Sequence, residues 1–161
     1  MKKLASFLLT AALCCTAATP AFAADVTTEG SQNTALTYSV KTDYIVTIPE
    51  QVSLDEEIVI SSSKANTEPG KAVKVRISDL TDSRAAELTR VNDERYKITA
   101  VAKQNNQSIT NDTVVAQFAD VTAETTADPI TFDDPVAVNG GEIKAGSYKG
   151  SLTFSVSYEE I

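Results

Sequence analysis

The chain has 161 residues and a formal net charge of −8, with no His, no Trp and two Cys. An acidic balance argues against nucleic acid as a partner, because phosphates recruit Lys and Arg through counterion release. Without His the commonest general base and the commonest metal ligand are both missing, so composition alone points away from most enzyme classes.

Residues 1–23 read MKKLASFLLTAALCCTAATPAFA. Lys2 and Lys3 form a positive start, an apolar stretch runs from Leu4 to Leu13, Pro20 breaks it, and Ala21-Phe22-Ala23 supplies small residues for a signal peptidase. The stretch is shorter than the about 20 residues needed to span hydrocarbon, so it reads as a cleaved signal peptide and not as an anchor. Cys14 and Cys15 suggest lipidation, but Leu13 is not the small residue that lipidation needs before the Cys. The chain from Ala24 then has 138 residues, 12 of them basic and 22 acidic, and it has lost both Cys and the only Met. The expected product is secreted, has no disulfide, and is held by its core alone. No later apolar run approaches membrane length, so no membrane association is expected after cleavage.

Residues 24–34 are polar apart from Val26 and read as a flexible N-terminal arm. From residue 35 the pattern is that of strands. Leu36, Tyr38 and Val40 alternate with Thr37 and Ser39; Tyr44, Val46 and Ile48 alternate with Ile45 and Thr47 until Pro49. Ile58, Val59 and Ile60 precede a Ser cluster, and Pro69-Gly70 marks a turn. Val73, Val75 and Ile77 form the apolar phase of a half-buried strand. Residues 82–90 (DSRAAELTR) are the one plausible helical turn. Further strands fall at Tyr96, Ile98 and Ala100, at Val114, Val115 and Phe118, and at Ile130 and Phe132, with a turn at Asn139-Gly140-Gly141. In the closing run, residues 146–158, Tyr148, Gly150, Leu152, Phe154, Val156 and Tyr158 share one phase, with Lys149, Ser151, Thr153, Ser155 and Ser157 on the other. An antiparallel partner for this run is expected within the chain, with residues 36–48 the candidate.

After cleavage 15 Val, 10 Ile and 17 Thr make up 42 of 138 residues, against five Leu. Such stiff side chains suit a pleated surface better than a helix. The expectation is one all-β domain over residues 35–161, an antiparallel β-sandwich of immunoglobulin-like or Greek-key style with about eight strands. Its core is expected to use Tyr38, Val46, Val75, Ile77, Ile98, Leu152, Phe154 and Val156.

Candidate chemistry is sparse. Neither a Ser–His–Asp nor a Cys–His arrangement can be assembled after residue 23, and zinc lacks its usual ligands. Ser61-Ser62-Ser63-Lys64 has the residue types of a Ser–Lys pair, but it reads as a solvated turn with nothing to desolvate the Lys. The acidic groups Asp55-Glu56-Glu57, Asp93-Glu94 and Asp133-Asp134 read as turn charge, since neighbours on a strand point to opposite faces. Asp120, Asp128, Asp133 and Asp134 could converge on calcium from separate loops, although no known loop spacing is present. Asn106-Gln107-Ser108 and Asn111-Asp112-Thr113 match the glycosylation pattern and read as polar loops. Tyr38, Tyr44, Tyr96, Tyr148 and Tyr158 all fall on apolar phases and read as core or core-rim residues, not as a sugar platform. No catalytic, cofactor-binding or metal residue is therefore assigned, and no enzyme or cofactor is expected.

Two stretches taken together carry a resemblance. The opening has Thr37-Tyr38-Ser39-Val40 and Tyr44-Ile45-Val46-Thr47-Ile48-Pro49; the close has Gly146-Ser147-Tyr148-Lys149-Gly150-Ser151-Leu152-Thr153-Phe154-Ser155-Val156. The chain resembles short secreted β-sandwich surface proteins of Gram-positive bacteria, loosely WxL-domain-like, with Phe154 where the Trp of a WxL closing motif would stand. The resemblance implies an adhesin-type, wall-associated, non-catalytic protein whose partner is cell-wall polymer, glycan or another surface protein. The alternative is a structural subunit that forms a homo-polymer, a surface filament or pilus, by strand exchange. The arm of residues 24–34 is a poor donor for that exchange, since Val26 is its only large apolar residue, so the closing strand is the candidate for exchange. No sortase sorting tail is seen at Tyr158-Glu159-Glu160-Ile161, so release or non-covalent retention is expected.

N-terminal sequencing of the exported protein is expected to begin at Ala24. A lipid on Cys15, or a first residue before it, would contradict the assignment of the cleavage site.

Overall fold

The computed structural model describes residues 38–161. The expected signal peptide, residues 1–23, and the expected arm, residues 24–34, lie outside the described residues. Among the described residues the chain is all-β, with twelve strands and no helix, and every pairing is antiparallel.

The strands in chain order are β1 (Asp43–Thr47), β2 (Ser61–Asn66), β3 (Lys71–Ser78), β4 (Ala85–Arg90), β5 (Lys97–Gln104), β6 (Gln107–Ser108), β7 (Val114–Phe118), β8 (Thr125–Thr126), β9 (Ile130–Phe132), β10 (Val136–Ala137), β11 (Tyr148–Lys149) and β12 (Thr153–Glu160). They form three sheets, with orders β1-β2-β8, β12-β3-β7 and β10-β5-β4-β11; β6 and β9 also pair with β5. Asn105 and Asn106, both at positive φ, make the two-residue turn from β5 to β6, a geometry that Asn tolerates.

The centre of the core is β3. Val73, Val75 and Ile77 are fully buried, and each lies opposite an apolar residue of β12: Tyr158, Val156 and Phe154 respectively. Cross-strand pairs on one face are the unit of sheet stabilisation, and burying each Val or Ile contributes about 1.5 to 3 kcal/mol. Val46, Ala65, Val115, Phe118 and Ile130 close the core from β1, β2, β7 and β9.

Several expectations are corrected. Residues 82–90 hold no helical turn: Ala85–Arg90 is strand β4, paired with β5, because burying Ala85 and Ala86 against that neighbour outweighs local helix propensity. The Ser61-Ser62-Ser63-Lys64 turn is the start of β2. Ser62 is buried where the β1–β2 register shifts, its Oγ 2.9 Å from Ile45 O and 3.0 Å from Lys64 O, so the hydroxyl serves carbonyls at the irregularity. Ile58 makes only an isolated bridge to Ile130. Tyr38 is not core; it is 93% exposed, and Val40 is 65% exposed. Leu152, Phe154 and Val156 are half-buried at the core margin. The closing run is two strands on two sheets, β11 against β4 and β12 against β3, and β12 does not pair with residues 36–48.

On the opposite face of the β3–β12 pair, Arg76 donates to both carboxylate oxygens of Glu159, at 2.5 and 2.8 Å, and Ser157 Oγ donates to Glu159 at 2.6 Å. These bonds, Arg76 first, hold the Glu159 carboxyl at about 2, below its ordinary 4.5. The folded pKa is the lower one, so the contribution is complete above pH 4.5 and vanishes as pH falls through about 2. Denaturant melts of wild type and Glu159→Gln across this range should show a gap that is widest at neutral pH and closes towards pH 2. A gap independent of pH would mean that the carboxylate charge does not clasp β12.

Candidate strand-binding groove

An open groove of about 730 Å³ lies among the described residues. One wall is the segment that follows β1, residues 49–54; the other is residues 148–152, which lead from β11 into β12. Ile58, Ala86, Leu88, Ile98, Phe132 and Phe154 supply an apolar floor.

Local sequence explains both walls. Pro49 ends β1, because proline has no N–H to donate to a ladder, and the chain leaves its sheet there. On the other side, Gly150 lies so close to β4 that a Cβ would collide with the carbonyl oxygen of Glu87 and come within 3.1 Å of Leu88 Cγ. The ladder with β4 stops at Lys149, and the ladder with β3 begins at Thr153. Residues 150–152 therefore belong to no ladder, and neither do residues 49–52 across the groove. Backbone polar groups of this kind need partners when covered. Two unladdered backbone stretches flanking an apolar floor offer hydrogen bonds along the walls and pockets for alternate side chains between them, which is how an extended peptide is held.

The charged groups at the groove are few. Glu87 is paired with Lys97 at 2.6 Å, while Glu50 and Lys149 stand exposed at the rim. Beyond one end, Tyr96 lies under two guanidinium groups, Arg90 at 5.5 Å and Arg95 at 5.9 Å from its ring centre. Arg95 is bound to Asp93 and holds that carboxyl down to about 2. Gly146, at φ 144, admits the Arg90 side chain, which donates to Ala145 O at 2.6 Å.

The residues singled out in the sequence are scattered and structurally engaged. Lys64 is paired with Asp43 and Ser62 faces carbonyls, so no Ser–Lys dyad forms. Asp120 accepts from Thr67, Asp128 accepts from Asn105, Asp133 pairs with Lys103, and Asp134 is exposed. Among the described residues no three acidic side chains gather where they could hold a metal ion. Asn111 accepts from Leu80 N and donates to Leu80 O, which pins the β3–β4 connection. Tyr44 and Tyr158 do pack against the core, and the Tyr158 hydroxyl accepts from Glu68 N. Tyr148 lines the groove, its hydroxyl donating to Lys144 O, and Tyr96 stands at the surface, 36% exposed. Sequence reasoning missed the groove; the one local signal was a glycine inside an otherwise regular strand pattern.

No family model matches the chain, and neither a curated protein nor a solved structure matches it.

Gly150→Ala forces the Glu87 carbonyl and the groove wall apart. The expected cost is about 1 to 3 kcal/mol in denaturant melts, the range for overpacking. A loss below that range would mean that the approach of β4 to residue 150 is loose.

Proposed function

We propose that the chain is an exported, non-catalytic, surface-associated binding protein of the adhesin type, and that its groove holds an extended segment of another surface protein. The observation that carries this reading is the pairing of two backbone stretches outside any ladder, residues 49–52 and 150–152, across an apolar floor. Main-chain hydrogen bonds would give affinity, and alternate apolar side chains entering between the walls would give specificity. The signal-like leader supports export.

Selection of displayed random peptides on the protein starting at Ala24 tests this. Selected peptides are expected to share apolar residues at alternate positions. Leu54→Arg at the groove rim should weaken them at least tenfold while leaving the melting transition in place. Ligands insensitive to Leu54→Arg, or a clear preference for soluble wall polysaccharide over any peptide, would overturn the reading. In the second case the exposed Tyr96 with its two guanidinium groups becomes the place to look.

A further inference from the structure

We infer that the segment filling the groove is supplied by a second copy of this chain: residues 36–40, Leu36-Thr37-Tyr38-Ser39-Val40. This rests on the reading of the groove as a strand-binding site. Leu36 and Thr37 lie outside the described residues; Tyr38 and Val40, which share the apolar phase of the segment, stand in solvent. An uncharged stretch with apolar residues at three alternate positions is built to be a half-buried strand, yet Tyr38 and Val40 bury little against their own chain. Five extended residues measure roughly 17 Å, comparable with the six-residue wall at 49–54.

The length of β1 separates the chain's own segment from its own groove. Val40 precedes β1 and Pro49 follows it, so the donor and the groove lie at opposite ends of that strand. A reversal at Lys41-Thr42 would set Val40 opposite Asp43 and Leu36 opposite Thr47, two residues short of the groove, and the segment would cover the free edge of β1 instead. A second copy meets no such limit. Its donor would lie along residues 150–152 and 49–52, with Leu36, Tyr38 and Val40 on the apolar floor.

The contact is heterologous, since donor and groove are different surfaces of one molecule. Repeated head to tail, it gives an open filament unless the rotation between copies closes a ring. The edge beside the groove suits this role. β12 is an edge strand, and Thr153-Phe154-Ser155-Val156-Ser157-Tyr158 contains none of the charges, prolines or glycines that usually blunt an edge.

Complementation tests the inference. The chain from Ala24 is expected to sediment with a mass that rises with concentration. The Tyr38→Glu, Val40→Glu double variant loses the donor and keeps the groove; Leu54→Arg loses the groove and keeps the donor. Each alone should be monomeric, and a mixture of the two should stop at a one-to-one dimer. A synthetic peptide of residues 34–42, added in excess, should return wild-type oligomers to monomer with no variant needed. A wild-type chain that stays monomeric and ignores the peptide overturns the inference, as do oligomers that survive both variants and the peptide. If the donor variant still binds displayed peptides in that case, the groove reading stands and only the identity of the partner fails. If it binds none, the groove reading fails as well.

Discussion

The carbonyl oxygen of Glu87 occupies the space where residue 150 would carry a side chain, and the architecture around the closing run depends on that contact. Only glycine admits β4 this close to the end of β11, where the first ladder stops at Lys149. Three residues further on, β12 starts its own ladder with β3 in a different sheet. A continuous strand would have filled this corner with hydrogen bonds. The change of sheet leaves residues 150–152 outside any ladder beside an apolar floor, and the groove follows from it.

The opposite requirement holds at β3. This strand has neighbours on both sides, β12 and β7, and Val73, Val75 and Ile77 are inaccessible to solvent. Both Cys lie within residues 1–23, so the remaining chain depends on such burial and on hydrogen bonding for its stability. Marginal stability is the rule for domains held this way, so the Arg76–Glu159 clasp matters despite its position on the solvent side. It secures β12, the strand that follows the groove's second wall, without adding apolar surface to an exposed edge.

These two features give the proposed activity its physical form. Binding by strand addition needs a rigid template, an unladdered backbone and pockets at alternate positions. The buried β3 pair supplies rigidity, the change of sheet supplies free backbone, and Leu88, Ile98 and Phe132 supply the floor. In the proposed assembly, the apolar segment of residues 36–40 precedes β1 and the groove follows it, so the length of that strand separates donor from acceptor. That separation favours partners over self-closure.

Period-two alternation was enough, from sequence alone, to place β1, β3, β5 and β9 and to mark Val46, Val75, Ile77 and Ile98 as inward-facing. The signal is local: a side chain's face depends only on its parity along the strand. Composition likewise determined the all-β class, since Val, Ile and Thr resist helix wherever they are placed. Residues 85–90 escaped that logic because two alanines and a leucine favour helix locally, a preference that pairing with β5 overrides. Tyr38 and Tyr96 had the correct parity but no core surface opposite, and parity cannot report what stands opposite. Ladder partners, sheet edges and the break at Gly150 were decided by tertiary structure alone. In sequence Gly150 is one more member of a regular alternation, and it becomes a break only when the backbone of Glu87 in β4, far earlier in the chain, arrives against it.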